Sequence, residues 1–280
     1  MSDSIGRLTL VGTPIGNLSD FSPRAIEALE NCDFIAAEDT RVTLKLLNHF
    51  GITKPLVSYH EHNKRESGER LCARLSAGEN GVLVSDAGMP AISDPGEDLV
   101  NLCHHKGIPV GVVPGPTAVT TALALAGLPT GRFAFEGFLS VNKRSRRTHL
   151  ESLKNEMRTM VFYEAPHKLK YTLTDLLEAL GDRPIALVRE ITKIHEEVVR
   201  TTLCAAVEKY ESEEPRGEFV LIVGGATPEE ATPATPEEAE ELARAYLAEG
   251  MSPSEAAKAA AADTGLKKGE IYRLLIAKED

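Results

Sequence analysis

The 280-residue chain has no tryptophan, few aromatic residues of any kind and only four cysteines. Cys32, Cys72, Cys103 and Cys204 lie far apart and form no Cys-x-x-Cys pair, so neither a zinc ribbon nor a disulfide framework is indicated. That usage suits a reducing cytoplasm. No apolar run approaches the roughly 18 residues that a membrane-spanning helix needs. The first seven residues are polar, with no apolar stretch behind a basic start, and no secretory signal is expected. Several signatures are missing as well. There is no Gly-x-Gly-x-x-Gly and no P-loop, and His195-Glu196 does not open a zinc-protease motif because position 199 is Val. No repeat of fixed period is found.

Positive charge is in deficit. A net charge of −11 argues, at first sight, against a nucleic-acid partner. The deficit is uneven: residues 227–241 hold six Glu and no base, and residues 242–280 balance, which leaves −5 on residues 1–226. One strongly basic cluster stands out, Lys143-Arg144-Ser145-Arg146-Arg147. It reads either as a solvated loop or as a landing site for a phosphate backbone.

The composition that remains is that of an ordinary globular protein, and a chain of this length buries a core without covalent staples. Short apolar strands over 7–11, 33–37, 56–59, 81–85 and 109–113 alternate with helical segments over 22–31, 40–50, 64–77 and 97–106. That alternation predicts βαβ units around a mainly parallel sheet. After a helix over 116–126, strands over 133–138, 159–163, 185–188, 197–201 and 218–223 adjoin one another, with one further helix over 168–180. They predict a second, mixed α+β sheet. The expected division is an N-terminal α/β domain over 1–127, a second α+β domain over 128–225, a Pro/Thr/Glu linker over 226–236, and a helical tail over 237–280. In the tail, Ser252-Pro253-Ser254-Glu255 is a strong helix start and Gly265 a strong stop, as in a helix-turn-helix.

Ligands of open α/β sheets bind beyond the carboxyl ends of the strands. The first such loop is Gly12-Thr13-Pro14-Ile15-Gly16-Asn17-Leu18, a tight turn open to a ligand. Next comes Ala37-Glu38-Asp39-Thr40-Arg41, where either Asp39 or Thr40 caps a helix while Arg41 pairs with Glu38, or the charges position a substrate. In His60-Glu61-His62-Asn63 an extended backbone would turn the two imidazoles to opposite faces, which disfavours a metal and favours a hydrogen-bonding or acid–base loop. Ser85-Asp86-Ala87-Gly88-Met89-Pro90, followed by Ser93-Asp94-Pro95-Gly96, suits a ligand with hydroxyls and a charged amine, with Asp94 capping the helix begun by Pro95. Pro114-Gly115-Pro116-Thr117-Ala118 offers close backbone approach and free N–H groups. Glu164-Ala165 and the 189–197 segment follow strands in the second half.

These loops, with Thr192-Lys193 and His195-Glu196-Glu197, occur in an order that closely resembles the tetrapyrrole methylase-like, class III S-adenosylmethionine-dependent methyltransferases. Within that family the likeness is to members that modify ribosomal RNA, over about residues 5–224, with a matching tail over 254–276. The resemblance implies a two-domain tetrapyrrole methylase-like fold, a homodimer, and S-adenosylmethionine in the cleft. It also implies methyl transfer to the ribose 2′-hydroxyl of a cytidine in the decoding region of small-subunit rRNA, free or in the assembled subunit. The implied cofactor loops hold Pro14, Gly16 and Asn17; Asp86, Ala87, Gly88, Met89 and Pro90; Pro114, Gly115, Thr117 and Ala118; and Glu164 with Ala165. Met89 stands where the family commonly has a small residue. A weakly acidic 2′-hydroxyl needs a base or a cation beside it. Lys193, Glu61, His60, Asp39 and Arg41 are the candidates, with Lys193 or Glu61 expected near the hydroxyl and Arg41 on phosphate. Lys143, Arg144, Arg146 and Arg147 are expected to bind RNA, and no metal is expected. Two rival functions remain open: methylation of a tetrapyrrole-type small molecule, and a non-catalytic RNA-binding assembly factor.

Overall fold

A computed structural model of the chain describes residues 5–227, 235–248 and 250–276. The chain divides into two compact units, Met1–Gly225 and Ala226–Asp280.

In the first unit, β1 (Leu8–Val11), β2 (Phe34–Ala37), β3 (Leu56–Ser58), β4 (Gly81–Val84) and β5 (Val110–Val113) form a parallel sheet in the order β3-β2-β4-β1-β5. Alternation along each strand feeds two cores. Leu8, Leu10, Phe34, Ala36 and Leu83 face one side, where Leu71 and Leu99 pack on them. Val11, Ile35, Ala37, Val82 and Val84 face the other, against Leu29 and Leu47. The helices are α1 (Pro23–Glu30), α2 (Thr40–His49), α3 (Lys64–Ser76) and α4 (Gly96–His105). Each lies within two residues of its predicted span. Ser22 caps α1 by accepting from the Ala25 N–H, with Pro23 at the first helical position. Asp94 accepts from the Gly96 and Ala91 N–H groups, although α4 begins one residue later than a cap at that position would place it.

The second sheet follows the order β6-β7-β10-β8-β9, from β6 (Phe133–Phe138), β7 (Thr159–Glu164), β8 (Pro184–Arg189), β9 (Glu197–Thr202) and β10 (Phe219–Val223). β6 runs parallel to β7 and the other pairings are antiparallel, so the sheet is mixed as predicted. One face is covered by α5 (Ala118–Ala126), whose Val119, Ala122, Leu123 and Ala126 pack on Val161, Ala186, Val188, Val220 and Ile222. The other carries α6 (Lys143–Ser152), α7 (Leu169–Leu180) and α8 (Leu203–Ser212). The structure differs from the sequence reading at four points. The helix placed before the 127/128 division packs with the second sheet, and both sheets lie in one compact unit. The basic run, read as a loop, is the first turn of α6, capped by Asn142, and α8 was not foreseen. α6 buries only Leu150, so it carries almost no apolar period to read.

The second unit is α9 (Pro236–Ala248), α10 (Pro253–Thr264) and α11 (Lys268–Ile276), closed on Ala239, Ala243, Ala257, Ala260, Ile271 and Leu275. Ser252 and Glu255 make the reciprocal capping box, and Gly265 ends α10 in the left-handed region, as the sequence indicates. Residues 228–234 of the expected linker lie outside the described residues.

Candidate active site

The loops after β1 and β4 are stitched together where those strands end. Thr13 N–H donates to Gly88 O at 2.9 Å and Gly88 N–H returns to Thr13 O at 3.1 Å. The next loop is drawn against them: a Cβ on Gly12 would come within 2.7 Å of Gly115 Cα, so both positions need glycine for this approach. The Met89 thioether accepts from the Gly115 N–H at 3.2 Å, so its long side chain has a defined place beside these glycines.

These loops open into a cavity of about 570 Å³ that also borders the second sheet. Pockets of this size hold small-molecule ligands. Ile15, Met89, Ile92, Phe138, Tyr163 and Val220 form its apolar lining, and Glu38, Asp86, Asp94 and Lys193 bring charge. Asp86, Ala87, Gly88, Met89, Thr117, Ala118, Glu164, Ala165 and Lys193 of the expected site line it. Pro114 and Gly115 border a smaller, more open hollow with Ile15 and Thr192. Pro14, Gly16, Asn17 and Pro90 shape the loops without lining the cavity; Asn17 caps a short 3-10 turn. The Glu164 carboxylate is committed elsewhere, accepting from the Ala165 N–H and the Thr172 hydroxyl.

Two loops are held in backbone conformations that side chains seldom adopt. Among the described residues, the non-glycine residues with positive φ are Ala91 (66°), Ser93 (67°), Glu190 (52°) and Thr192 (65°). Ser93, Ile191 and Lys193 line the cavity between them, so the strain is concentrated at its rim. Asp94 holds the first loop through two N–H groups, and Glu190 holds the second by accepting from the Glu218 N–H at 3.0 Å. This constellation is not readable from residue types, because none of the four is a residue that favours such φ values.

Lys193 lies in that second loop. Its ammonium donates to Glu190 at 3.0 Å and to Glu218 at 2.8 Å. Burial lowers its pKa, but the hydrogen bonds to Glu218 and Glu190 outweigh burial and the net shift is upward. Lys193 is therefore a fixed cation at neutral pH rather than a base. Glu38 is the opposite case. Burial, and then the neighbouring carboxylates of Asp86, Asp94 and Asp39, raise its pKa. An acidic cavity with one poised cation suits a cationic ligand whose reaction develops negative charge near Lys193.

The other expected catalytic residues do not join it. Arg41 pairs with Asp39 at 2.6 Å, not with Glu38, and its hydrogen bonds hold the Asp39 carboxyl well below the usual range. Asp39 also caps α2, and its own N–H donates to Asp86 at 3.0 Å. Glu61 is exposed and paired with Lys64 at 2.8 Å. The His60–Asn63 segment is a turn, not an extended strand: Asn63 accepts from the His60 N–H, and the two imidazole rings lie 5.9 Å apart instead of on opposite faces. Among the described residues no group of three or more His, Cys, Asp or Glu side chains could hold a metal ion.

Beside the cavity, α6 and α7 enclose a groove of about 960 Å³. Lys143, Arg146, Arg147, Lys154 and Lys168 line it with Val141, Tyr171 and the carboxylates of Glu151, Asp175 and Glu178. Arg146 is tied to Asp175 and Thr172, and Arg147 to Glu151. Arg144 is exposed on the same helix turn but is not part of that lining.

Residues 7–206 match the model of the Tetrapyrrole (Corrin/Porphyrin) Methylases, and residues 233–279 match that of the RsmI C-terminal HTH domain. The chain is 48% identical to the Ribosomal RNA small subunit methyltransferase I of Synechocystis, over 98% of this chain and 99% of that protein. It is 49% identical to the protein of the same name from Halalkalibacterium halodurans, over 97% and 95%. A solved uroporphyrin-III C-methyl transferase from Thermus thermophilus, complexed with S-adenyl homocysteine, shares the fold at a TM-score of 0.53. That likeness has 23% identity and covers 78% of this chain and 97% of the other.

Proposed function

The chain belongs to the tetrapyrrole methylase family and, within it, to the group of ribosomal RNA small subunit methyltransferase I proteins, and from that membership we propose that it methylates ribosomal RNA of the small subunit at the 2′-hydroxyl of a cytidine ribose. The methyl donor of the family is S-adenosylmethionine. The cavity fits that donor in size and in sign, because Glu38, Asp86 and Asp94 face it and the donor is cationic. Bound there, the donor supplies a methyl group activated on a positively charged sulfur.

The chain's own residues align and polarise. The stitched loops at Thr13 and Gly88, and the Met89–Gly115 contact, fix the walls, and near-attack positioning of this kind is worth about 7–11 kcal/mol. Ile15, Met89 and Ile92 give the cavity an apolar wall. Lys193, held cationic, would stabilise the negative charge that develops on the ribose oxygen as the methyl group bonds to it and the hydroxyl proton passes to solvent water.

The observation that carries the reading is the opposite sign of two adjoining concavities. Carboxylates outnumber Lys193 in the cavity, whereas in the groove next to it Lys143, Arg146, Arg147, Lys154 and Lys168 outnumber Glu151, Asp175 and Glu178. Lys143, Arg144, Arg146 and Arg147 also occupy the first turns of α6, where the helix dipole repels cations. A bound phosphate backbone relieves that repulsion. The test is label transfer from methyl-labelled S-adenosylmethionine to small ribosomal subunits from cells lacking this protein, with a tetrapyrrole as a competing acceptor. Label in rRNA supports the proposal. Label in the tetrapyrrole alone contradicts it.

A further inference from the structure

β6 carries an irregularity that changes which way its last residue faces. Phe135 pairs with Val161 of β7, but the next pair is Gly137 with Phe162, so Glu136 is an extra residue in the ladder. Gly137 makes the turn with a φ of +64°, a conformation that glycine adopts without a steric penalty. In a regular strand Phe135 and Phe138, three residues apart, would face opposite sides of the sheet. The bulge puts both on the side of Tyr163, whose ring lies 5.0 Å from Phe135 and 5.4 Å from Phe138.

The three rings are unequally covered. Phe135 and Tyr163 are half-buried in the core under α5. Phe138 is 60% exposed although it lines the cavity. Exposed Ile92 also lines it, and in the same loop the Ser93 hydroxyl oxygen would lie 3.2 Å from a Cβ on Gly137. The next residues along the chain, Leu139 to Val141 and then Lys143, line the basic groove. One short segment thus carries an aromatic face at the cavity and leads directly to cations suited to phosphate.

We propose that Phe138, backed by Tyr163, is the stacking platform for the base of the nucleotide being methylated, positioning its ribose at the cavity while the groove holds the flanking phosphates. This rests on the reading of the protein as an RNA methyltransferase. A base face fits because stacking is indifferent to hydrogen-bond pattern and a polynucleotide brings the charge that the adjoining groove complements.

The test compares full-length wild type with F138A, F138L and F138W, by steady-state methylation of unmodified small subunits and by calorimetric binding of S-adenosylmethionine. F138A is expected to raise KM for rRNA about ten-fold or more, with the dissociation constant of the donor unchanged. F138W is expected to restore KM and F138L not, because the platform needs a ring and not only bulk. An unchanged KM in F138A overturns the proposal. So does weakened donor binding with normal KM, which would assign the ring to the donor's adenine, or a changed oligomeric state with normal KM, which would assign it to a subunit interface. If wild type itself methylates no rRNA, the enzymatic reading fails on its own. Anisotropy with a fluorescein-labelled cytidine-rich single strand then still decides the platform, since F138A must weaken that binding and F138W restore it.

Discussion

The side-chain stem of Lys193 lies directly over Gly16: a Cβ on Gly16 would stand 2.6 Å from Lys193 Cγ and 2.9 Å from Thr192 Oγ1. The first loop of the parallel sheet is thereby the floor on which the strained second-sheet loop rests. Gly16→Ala is expected to displace the Lys193 loop and lower kcat by up to about a hundred-fold, because small misplacements of reacting groups cost that much. The β strands are untouched, so thermal unfolding should shift far less than activity. Turnover equal to wild type would show that the packing of Gly16 under Lys193 has no role in positioning it.

Lys193 is held as a cation by Glu190 and Glu218, and on the proposed function its replacement separates charge from proton transfer. Lys193→Ala is expected to lower kcat about a hundred- to a thousand-fold, the usual cost of losing one oxyanion-stabilising donor. Glu61→Gln, at a residue that does not line the cavity and is bound to Lys64, should change kcat little. Single-turnover methylation of rRNA measures both. Equal loss in the two variants would restore Glu61 to the reaction.

Glu38 gives a pH signature. Its pKa is raised by burial and by Asp86, Asp94 and Asp39, from an ordinary value of 4.5. Below that ordinary value the carboxyl is protonated in both folded and unfolded chains, and its contribution to stability is fully present. As pH rises toward and through the folded pKa, the unfolded chain loses the proton more readily and the contribution is lost. Glu38→Gln should therefore unfold at a higher temperature than wild type at about pH 7 and match it at about pH 4. The same variant should bind the cationic donor more weakly. A variant less stable than wild type at neutral pH would contradict the assigned direction.

The basic groove is testable through salt. Removing one phosphate-binding cation from a single-strand site reduces the slope of log K against log salt by about 0.7. Neutralising Arg144 and Arg147, both exposed, should flatten that slope without unfolding the protein. Arg146, tied to Asp175 and Thr172 across α6 and α7, should also cost stability when neutralised. Filter binding of rRNA fragments at several salt concentrations, beside thermal melts, distinguishes the two. An unchanged slope removes α6 from the RNA surface.

Much of the architecture was legible because it rests on local chemistry. Ser252 to Glu255 and Gly265 announce helix ends, and the buried strands of the parallel sheet read as continuous apolar runs. The cavity loops were legible as clusters of Gly, Pro and Asp at strand ends. What escaped depends on tertiary placement. α6 is a helix without an apolar stripe, stabilised by Asn142 and by Arg146 reaching α7. Glu38 passes for a helix-capping neighbour until burial singles it out. The Arg41 partner was misread by one residue because Asp39, as the helix cap, already faces its N–H. Phe138 was missed because one inserted residue reverses the face that simple alternation assigns.

On the proposed function, this cavity delivers a methyl group to a ribose oxygen of rRNA. Small subunits lacking the modification should be incubated with methyl-labelled S-adenosylmethionine and either wild type or Lys193→Ala, and the rRNA digested to nucleosides for mass spectrometry. The expected result is label in 2′-O-methylcytidine with wild type and a near-complete loss with the variant. Label on a base would rule out the ribose oxygen as acceptor, and equal label with both proteins would rule out Lys193 in the transfer.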